Sequence, residues 1–144
     1  MQISAVTKEI NEWSGSVLIA GILEGTIESQ VNLFKSIIKD TFLNQRFIDS
    51  KFEGKKGQKL SIELIEGKIK KVIFVGLGKA ETLRIDDLRK AASIGTRQVS
   101  NYERKIGIFF PWDAFDPSSA ACAVGEAVRL SSIKDFRFKS ESKE

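Results

Sequence analysis

The sequence contains no histidine among its 144 residues. Histidine is the base of many catalytic triads and the commonest protein ligand for metals. Its absence excludes every triad and every metal site that depends on an imidazole ring. Catalysis by this chain alone would have to use Asp, Glu, Lys, Tyr, Ser or Cys122 side chains.

Cysteine is nearly absent too, because Cys122 is the single one. One thiol cannot form an intramolecular disulfide, and residues 1–4 show no signal-peptide pattern. No apolar run approaches the roughly 18 residues that a membrane-spanning helix needs. We therefore expect a cytoplasmic protein with no membrane partner.

The composition that remains is that of an ordinary globular protein. Hydrophobic residues make up 42% and charged residues 29%, and 144 residues suffice for one domain with its own core. The net charge of +4 permits an anionic partner without requiring one.

The most informative stretch is an uninterrupted apolar run at residues 72–75, followed by Gly76, Leu77 and Gly78. Such a short run predicts a strand buried on both faces, and a helix is predicted to follow at about residues 85–102. A strand, a glycine turn and a helix form the first half of a βαβ unit, where α/β proteins often bind a ligand.

The other predicted elements before this stretch follow from periodicity. We expect a strand at residues 3–7, a buried strand at 16–21, a helix from Ser29 or Thr26 to Phe42 that frays by 44–46, and a strand at 47–52. Residues 54–57, Gly-Lys-Lys-Gly, are typical of a hairpin turn leading into a half-buried strand at residues 60–64.

After the central helix, whose first turn carries Asp86 and Asp87, a strand is predicted at residues 105–110. Asp116 and Pro117 predict the cap and first turn of an alanine-rich helix, narrow enough to press on a sheet. Residues 135–144 are predicted to form a strand-like arm or linker. The expected order β-β-α-β-β-β-α-β-α describes an α/β domain with helices on both faces of one sheet.

The glycine turn fails both phosphate-binding motifs. The dinucleotide fingerprint needs a third glycine where Glu81 stands, and a phosphate loop needs Ser or Thr where Ala80 follows Gly78 and Lys79. An acid at Glu81 would also repel a phosphate. We therefore favour a structural role for Gly76 and Gly78, which would let the strand turn into its helix.

Six lysines concentrate around the predicted hairpin. They could contact phosphates, or they could protect a solvated edge, and we favour the second because no aromatic side chain is interleaved for base stacking. The six are Lys55, Lys56, Lys59, Lys68, Lys70 and Lys71.

No catalytic constellation emerges from the remaining candidates. Cys122 lies among alanines, without a histidine base, and is predicted to be a small buried residue. Asp113 and Asp116 lie at a loop and a cap, and no further carboxylates converge on them in the sequence to make a metal site.

Four segments together resemble the N-terminal domain of the leucyl aminopeptidase (cytosol aminopeptidase) family, in an order and spacing that match from about Val17 to Ser140. They are KKVIFVGLGKAETLRIDDLRKAASIGTRQV at residues 70–99, FEGKKGQKLSIELIEG at 52–67, AACAVGEAVRLSSI at 120–133 and DFRFKS at 135–140.

The resemblance implies a three-layer α/β/α domain with a mixed sheet, similar to macro domains. It implies a parent that is a cytoplasmic two-domain hexamer and removes N-terminal amino acids from peptides. Two divalent metals, zinc, manganese or magnesium, would activate a bridging water in the parent's C-terminal catalytic domain.

The family signature NTDAEGRL is absent from this chain, so the resemblance assigns it no catalytic, cofactor-binding or metal-binding residue. We expect an N-terminal domain at residues 1–134 and the start of a linker at 135–144, with the isolated chain inactive. Two alternatives remain: a macro-domain-like module that binds a nucleotide or ADP-ribose after Gly76, and a nucleic-acid-binding surface on the lysine-rich hairpin.

Overall fold

The computed structural model describes residues 15–25, 27–35, 38, 43–65, 67–99 and 105–141. The strands found in these residues are β1 (Val17–Leu23), β2 (Lys59–Glu63), β3 (Lys71–Gly78) and β4 (Ile106–Phe109). The α-helices are α1 (Ile27–Asn32), α2 (Leu43–Ser50), α3 (Ile85–Arg97) and α4 (Pro117–Glu141). None of the helices in these ranges combines the length and hydrophobicity needed to cross a membrane.

The strands form one mixed sheet in the order β2-β3-β1-β4. β1 lies at the centre and runs parallel to β3 and β4, with Ile19 opposite both Ile73 and Ile108. β2 pairs antiparallel with β3. β1 and β3 are buried along almost their whole length, which explains why their residues do not alternate between apolar and polar.

Alternate residues of β1 belong to two separate cores, one on each face of the sheet. Leu18 and Ala20 pack with Phe34 and Phe47 from the α1 and α2 side. Ile19 belongs to the second core, which includes buried residues of α3 and α4. The predicted three-layer α/β/α architecture with a mixed sheet is therefore confirmed.

The N-terminal half differs most from the prediction. The helix expected from Ser29 or Thr26 to Phe42 is confirmed only in its first part, because α1 begins at Ile27, directly after Thr26, and ends at Asn32. Residues 36, 37 and 39–42 of the predicted helix lie outside the described residues. The strand expected at residues 47–52 is wrong, because Phe47 lies in α2. Leu43 and Phe47 are buried four residues apart, the spacing of one helix face, so tertiary packing favours a helix.

The C-terminal half follows the prediction more closely. The strand at 105–110 is confirmed as β4, and Asp116 caps α4 because its Oδ2 accepts a hydrogen bond from the Ser119 backbone N–H at 3.0 Å. α3 ends at Arg97, earlier than expected, and Lys71 Nζ donates to the Gln98 carbonyl just beyond it at 2.6 Å.

Two further expectations concern α4. The alanine-rich helix packs chiefly against α3, and its buried residues Ala120 and Ala127 share a core with Ile19 of β1. The strand-like arm expected at residues 135–144 is wrong for residues 135–141, whose backbone continues α4. The strand expected at residues 3–7 lies outside the described residues. Within the described residues, the order of elements is β-α-α-β-β-α-β-α.

Candidate functional site

The glycine stretch lies at the carboxyl end of β3, beside the carboxyl end of β1. This edge of a parallel sheet is where α/β proteins usually bind ligands. Here residues 54–57, which we call the lysine turn, and the adjoining chain lie against it. The Gly78 N–H donates to the Gly54 carbonyl at 2.9 Å, and the Gly76 N–H donates to the Gln58 carbonyl at 2.8 Å. These backbone donors are therefore satisfied by the chain itself.

Gly76 is required by this close approach of two backbones. A Cβ atom at position 76 would meet the Lys55 carbonyl oxygen and would lie 2.7 Å from the Gly54 carbonyl carbon. A Cβ atom does not approach backbone carbonyl atoms so closely, so a side chain would push the lysine turn away. The role of Gly76 is structural, but the reason differs from our prediction: β3 continues through Gly78, and Gly76 makes room for the lysine turn.

The N-terminus of α3 already holds an anionic group. Asp87 is 9% exposed, and its Oδ2 accepts a hydrogen bond from the Arg84 backbone N–H at 2.9 Å. Its Oδ1 forms an ion pair with Lys56 Nζ of the lysine turn at 3.3 Å. A phosphate approaching this terminus would have to displace the Asp87 carboxylate, so the geometry does not favour the nucleotide-binding alternative.

The six lysines do not form one free cationic surface, which weakens the nucleic-acid alternative. Two pair with acids: Lys56 with Asp87, and Lys55 with Glu53 at 3.0 Å. The hydrogen bond and the charge of Glu53 raise the pKa of Lys55. Two more donate to backbone carbonyls, Lys70 to Gly67 at 3.1 Å and Lys71 to Gln98.

The predicted hairpin also has a different position. The lysine turn connects α2 to β2, so it does not join two strands. The hairpin is formed by β2 and β3, where the Leu64 N–H donates to the Lys70 carbonyl at 2.8 Å across the connection. Lys59 and Lys68 are exposed in this region.

Cys122 is exposed, so the prediction that it is buried is wrong. The buried face of α4 carries Ala120, Ala123 and Ala127, and Cys122 falls outside that face. Its thiol donates to Glu126 Oε1 at 3.8 Å.

The remaining acidic candidates do not assemble a metal site in the part of the chain that the structure describes. Asp116 caps α4, and the side chain of Asp113 lies outside the description. Across the described ranges, no three His, Cys, Asp or Glu residues are grouped so that they could hold a metal ion. The resemblance implies two divalent metals only in a C-terminal catalytic domain, and no catalytic step is assigned to the described residues.

An open groove that sequence reasoning did not predict lies between α3 and α4, and we call it the α3–α4 groove. It has a volume of about 460 Å³. Its apolar lining includes Ile94, Ala127 and Leu130, and its cationic lining includes Arg89 and Arg97. Leu130 is 59% exposed, and it is the most exposed large apolar side chain that lines the groove.

Comparison with known proteins connects this domain to one family. Residues 19–142 match the profile described as "Cytosol aminopeptidase family, N-terminal domain". A probable cytosol aminopeptidase of Prochlorococcus marinus (strain MIT 9211) is 46% identical over all 144 residues, which cover 29% of that relative. A probable cytosol aminopeptidase of Synechococcus sp. (strain CC9311) is 35% identical over 98% of the chain, which covers 28% of that relative.

A solved structure agrees with the fold. A lysine-to-glutamate mutant of tomato leucine aminopeptidase superposes on 91% of this chain with a TM-score of 0.71 and 19% sequence identity. The matched part is 28% of that tomato chain. This chain thus spans less than a third of the length of the relatives it matches, and it belongs to the cytosol aminopeptidase family as an N-terminal domain.

Proposed function

We propose that the chain is the non-catalytic N-terminal domain of a leucyl-type cytosol aminopeptidase. It would serve the assembly of the enzyme and access to its active site. The observation that supports this proposal is the family match over residues 19–142, in relatives of which the chain covers about 29%. The Gly76 and Gly78 backbone donors at the carboxyl end of β3 already bond to the Gln58 and Gly54 carbonyls, which agrees with a structural role for this domain.

In this proposal, residues 1–134 form the domain and residues 135–144 begin the connection to a catalytic domain. Removal of N-terminal amino acids, the two divalent metals (zinc, manganese or magnesium), the hexamer and the peptide substrate belong to the whole cytoplasmic enzyme. Because α4 continues through residue 141, the connection would begin as a helix and would hold the two domains more rigidly than a flexible linker.

Hydrolysis of leucine amide tests the proposal. The purified 144-residue chain, supplied with Mn²⁺ or Zn²⁺, should release no ammonia above a buffer blank. The full-length enzyme that carries this domain should hydrolyse the substrate in the same buffer. Hydrolysis by the 144-residue chain that is proportional to its concentration and is abolished by a chelator would contradict the proposal.

A further inference from the structure

The α3–α4 groove combines an apolar floor with a cationic rim. Ile94 of α3 is half-buried and Ala127 of α4 is buried, whereas Leu130 beside them is 59% exposed. Helices α3 and α4 pack against each other, and the exposed side of their contact remains open to solvent. A partner that covered Leu130 would remove from water the largest apolar side chain that the groove exposes.

The rim carries more positive charge than its neighbours neutralise. Arg89 and Lys90 share the single carboxylate of Asp86, at 3.9 Å and 3.3 Å. Within the described ranges Arg97 forms no ion pair, and Glu126 is the one acid that lines the groove. The complementary surface is therefore acidic, with an apolar side chain between its carboxylates.

We propose that the α3–α4 groove docks an acidic amphipathic helix from the polypeptide that follows this domain in the full-length aminopeptidase. The inference rests on the proposed function, because that function supplies the following polypeptide. A helix seated between α3 and α4 would place its apolar face on Ile94 and Leu130 and its carboxylates near Arg89 and Arg97.

The size of the groove favours a tethered partner over a second copy. A stable complex between separate chains buries about 1,200–2,000 Å² in total, whereas Leu130 is, among the described residues, the one exposed large apolar side chain that lines this groove. Contacts between domains of one chain are smaller and more polar, and tethering raises the effective concentration of the partner to about the millimolar range. A small groove with an apolar floor and a cationic rim is thus sufficient to dock a partner that belongs to the same polypeptide.

Thiol accessibility tests this docking. Leu130→Cys is introduced in a Cys122→Ser background, and the labelling rate of its peptide is followed by mass spectrometry in the 144-residue chain and in the full-length enzyme. The rate should fall about tenfold in the full-length enzyme, because docking covers position 130. The matched control is Ile48→Cys on α2, 67% exposed on the opposite side of the sheet, where the rate should change less than about twofold.

Charge reversal on the rim provides a second measurement. In the full-length enzyme, Arg97→Glu should restore rapid labelling of the thiol at position 130, since it would repel the acidic partner. Lys59→Glu, on the exposed edge of β2, should leave that labelling slow. Equal labelling of Leu130→Cys in the two proteins would overturn the inference, as would slow labelling that Arg97→Glu does not change.

A third outcome concerns a second copy of the chain. Labelling of Leu130→Cys that slows as the concentration of the 144-residue chain rises would place another copy in the groove, and it too would overturn the inference. The leucine amide assay separates this inference from the proposed function: an active full-length enzyme with a freely labelled position 130 refutes only the docking.

Discussion

Replacing Gly76 with alanine should destabilise the domain, although the same change usually strengthens a strand. The added methyl group would meet the Lys55 carbonyl oxygen and approach the Gly54 carbonyl carbon to 2.7 Å. Neither atom belongs to a flexible side chain, so the lysine turn must move. Gly76 does not have a positive φ angle, so alanine would otherwise be tolerated at this position and would stabilise the protein by about 0.4–1 kcal/mol.

The expected loss follows from the contacts that hold the lysine turn. Displacing the turn weakens two backbone hydrogen bonds, from Gly76 to Gln58 and from Gly78 to Gly54, each worth about 0.5–1.5 kcal/mol. The ion pair between Lys56 and Asp87 adds at most about 1 kcal/mol, because the lysine side chain is half exposed. These losses amount to about 1–4 kcal/mol, and the gain of about 0.4–1 kcal/mol leaves a net loss of about 2 kcal/mol in the free energy of unfolding, or about 7 °C in Tm.

Urea denaturation of the 144-residue chain, followed by circular dichroism, measures this change. Gly57→Ala is the matched control, because Gly57 has a φ of 86° with no atom within 4 Å of its added Cβ. The free energy of unfolding of Gly57→Ala should fall by about 1–2 kcal/mol, which is the cost of placing alanine in the left-handed conformation. A Gly76→Ala protein as stable as the parent, or more stable, would refute the account of Gly76 given above.

Two further predictions concern the N-terminus of α3. Asp87→Ala should lower the free energy of unfolding by about 1–2 kcal/mol through loss of the cap and of the Lys56 ion pair, whereas Asp86→Ala, at an exposed neighbouring position, should lose about 0.5 kcal/mol or less. If both variants lose equal stability in urea, Asp87 has no special role. ADP-ribose at millimolar concentration should leave the Tm unchanged in a thermal shift assay, because the Asp87 carboxylate occupies the terminus where a phosphate would bind. A saturable rise in Tm would restore the macro-domain-like alternative.

The elements that the sequence predicted well are those with strong local signals. The apolar runs of β1 and β3 and the Asp116–Pro117 cap of α4 each follow from a few adjacent residues. The resemblance to the aminopeptidase family was also carried by contiguous strings, and the family match confirms it.

The elements that were missed depend on contacts distant in sequence. Phe47 packs on Phe74 of β3 with ring centroids 4.8 Å apart, and this packing favours helix α2 through Ser50, where residues 47–52 alone indicated a strand. The ion pair of Lys56 with Asp87 and the close approach at Gly76 likewise join segments whose relation no local pattern reveals.

The position of β1 at the centre of the sheet has a consequence for synthesis on the ribosome. β1 is made before both of its partners, and Ser16 bonds to Lys105, 89 residues later. Until β3 and β4 have emerged, the two edges of β1 and the face that carries Ile19 have no native cover, and such long-range pairing forms slowly. We therefore expect chaperones that bind exposed apolar strands to bind the emerging chain. Slower translation between β1 and β4 should prolong the exposure of β1.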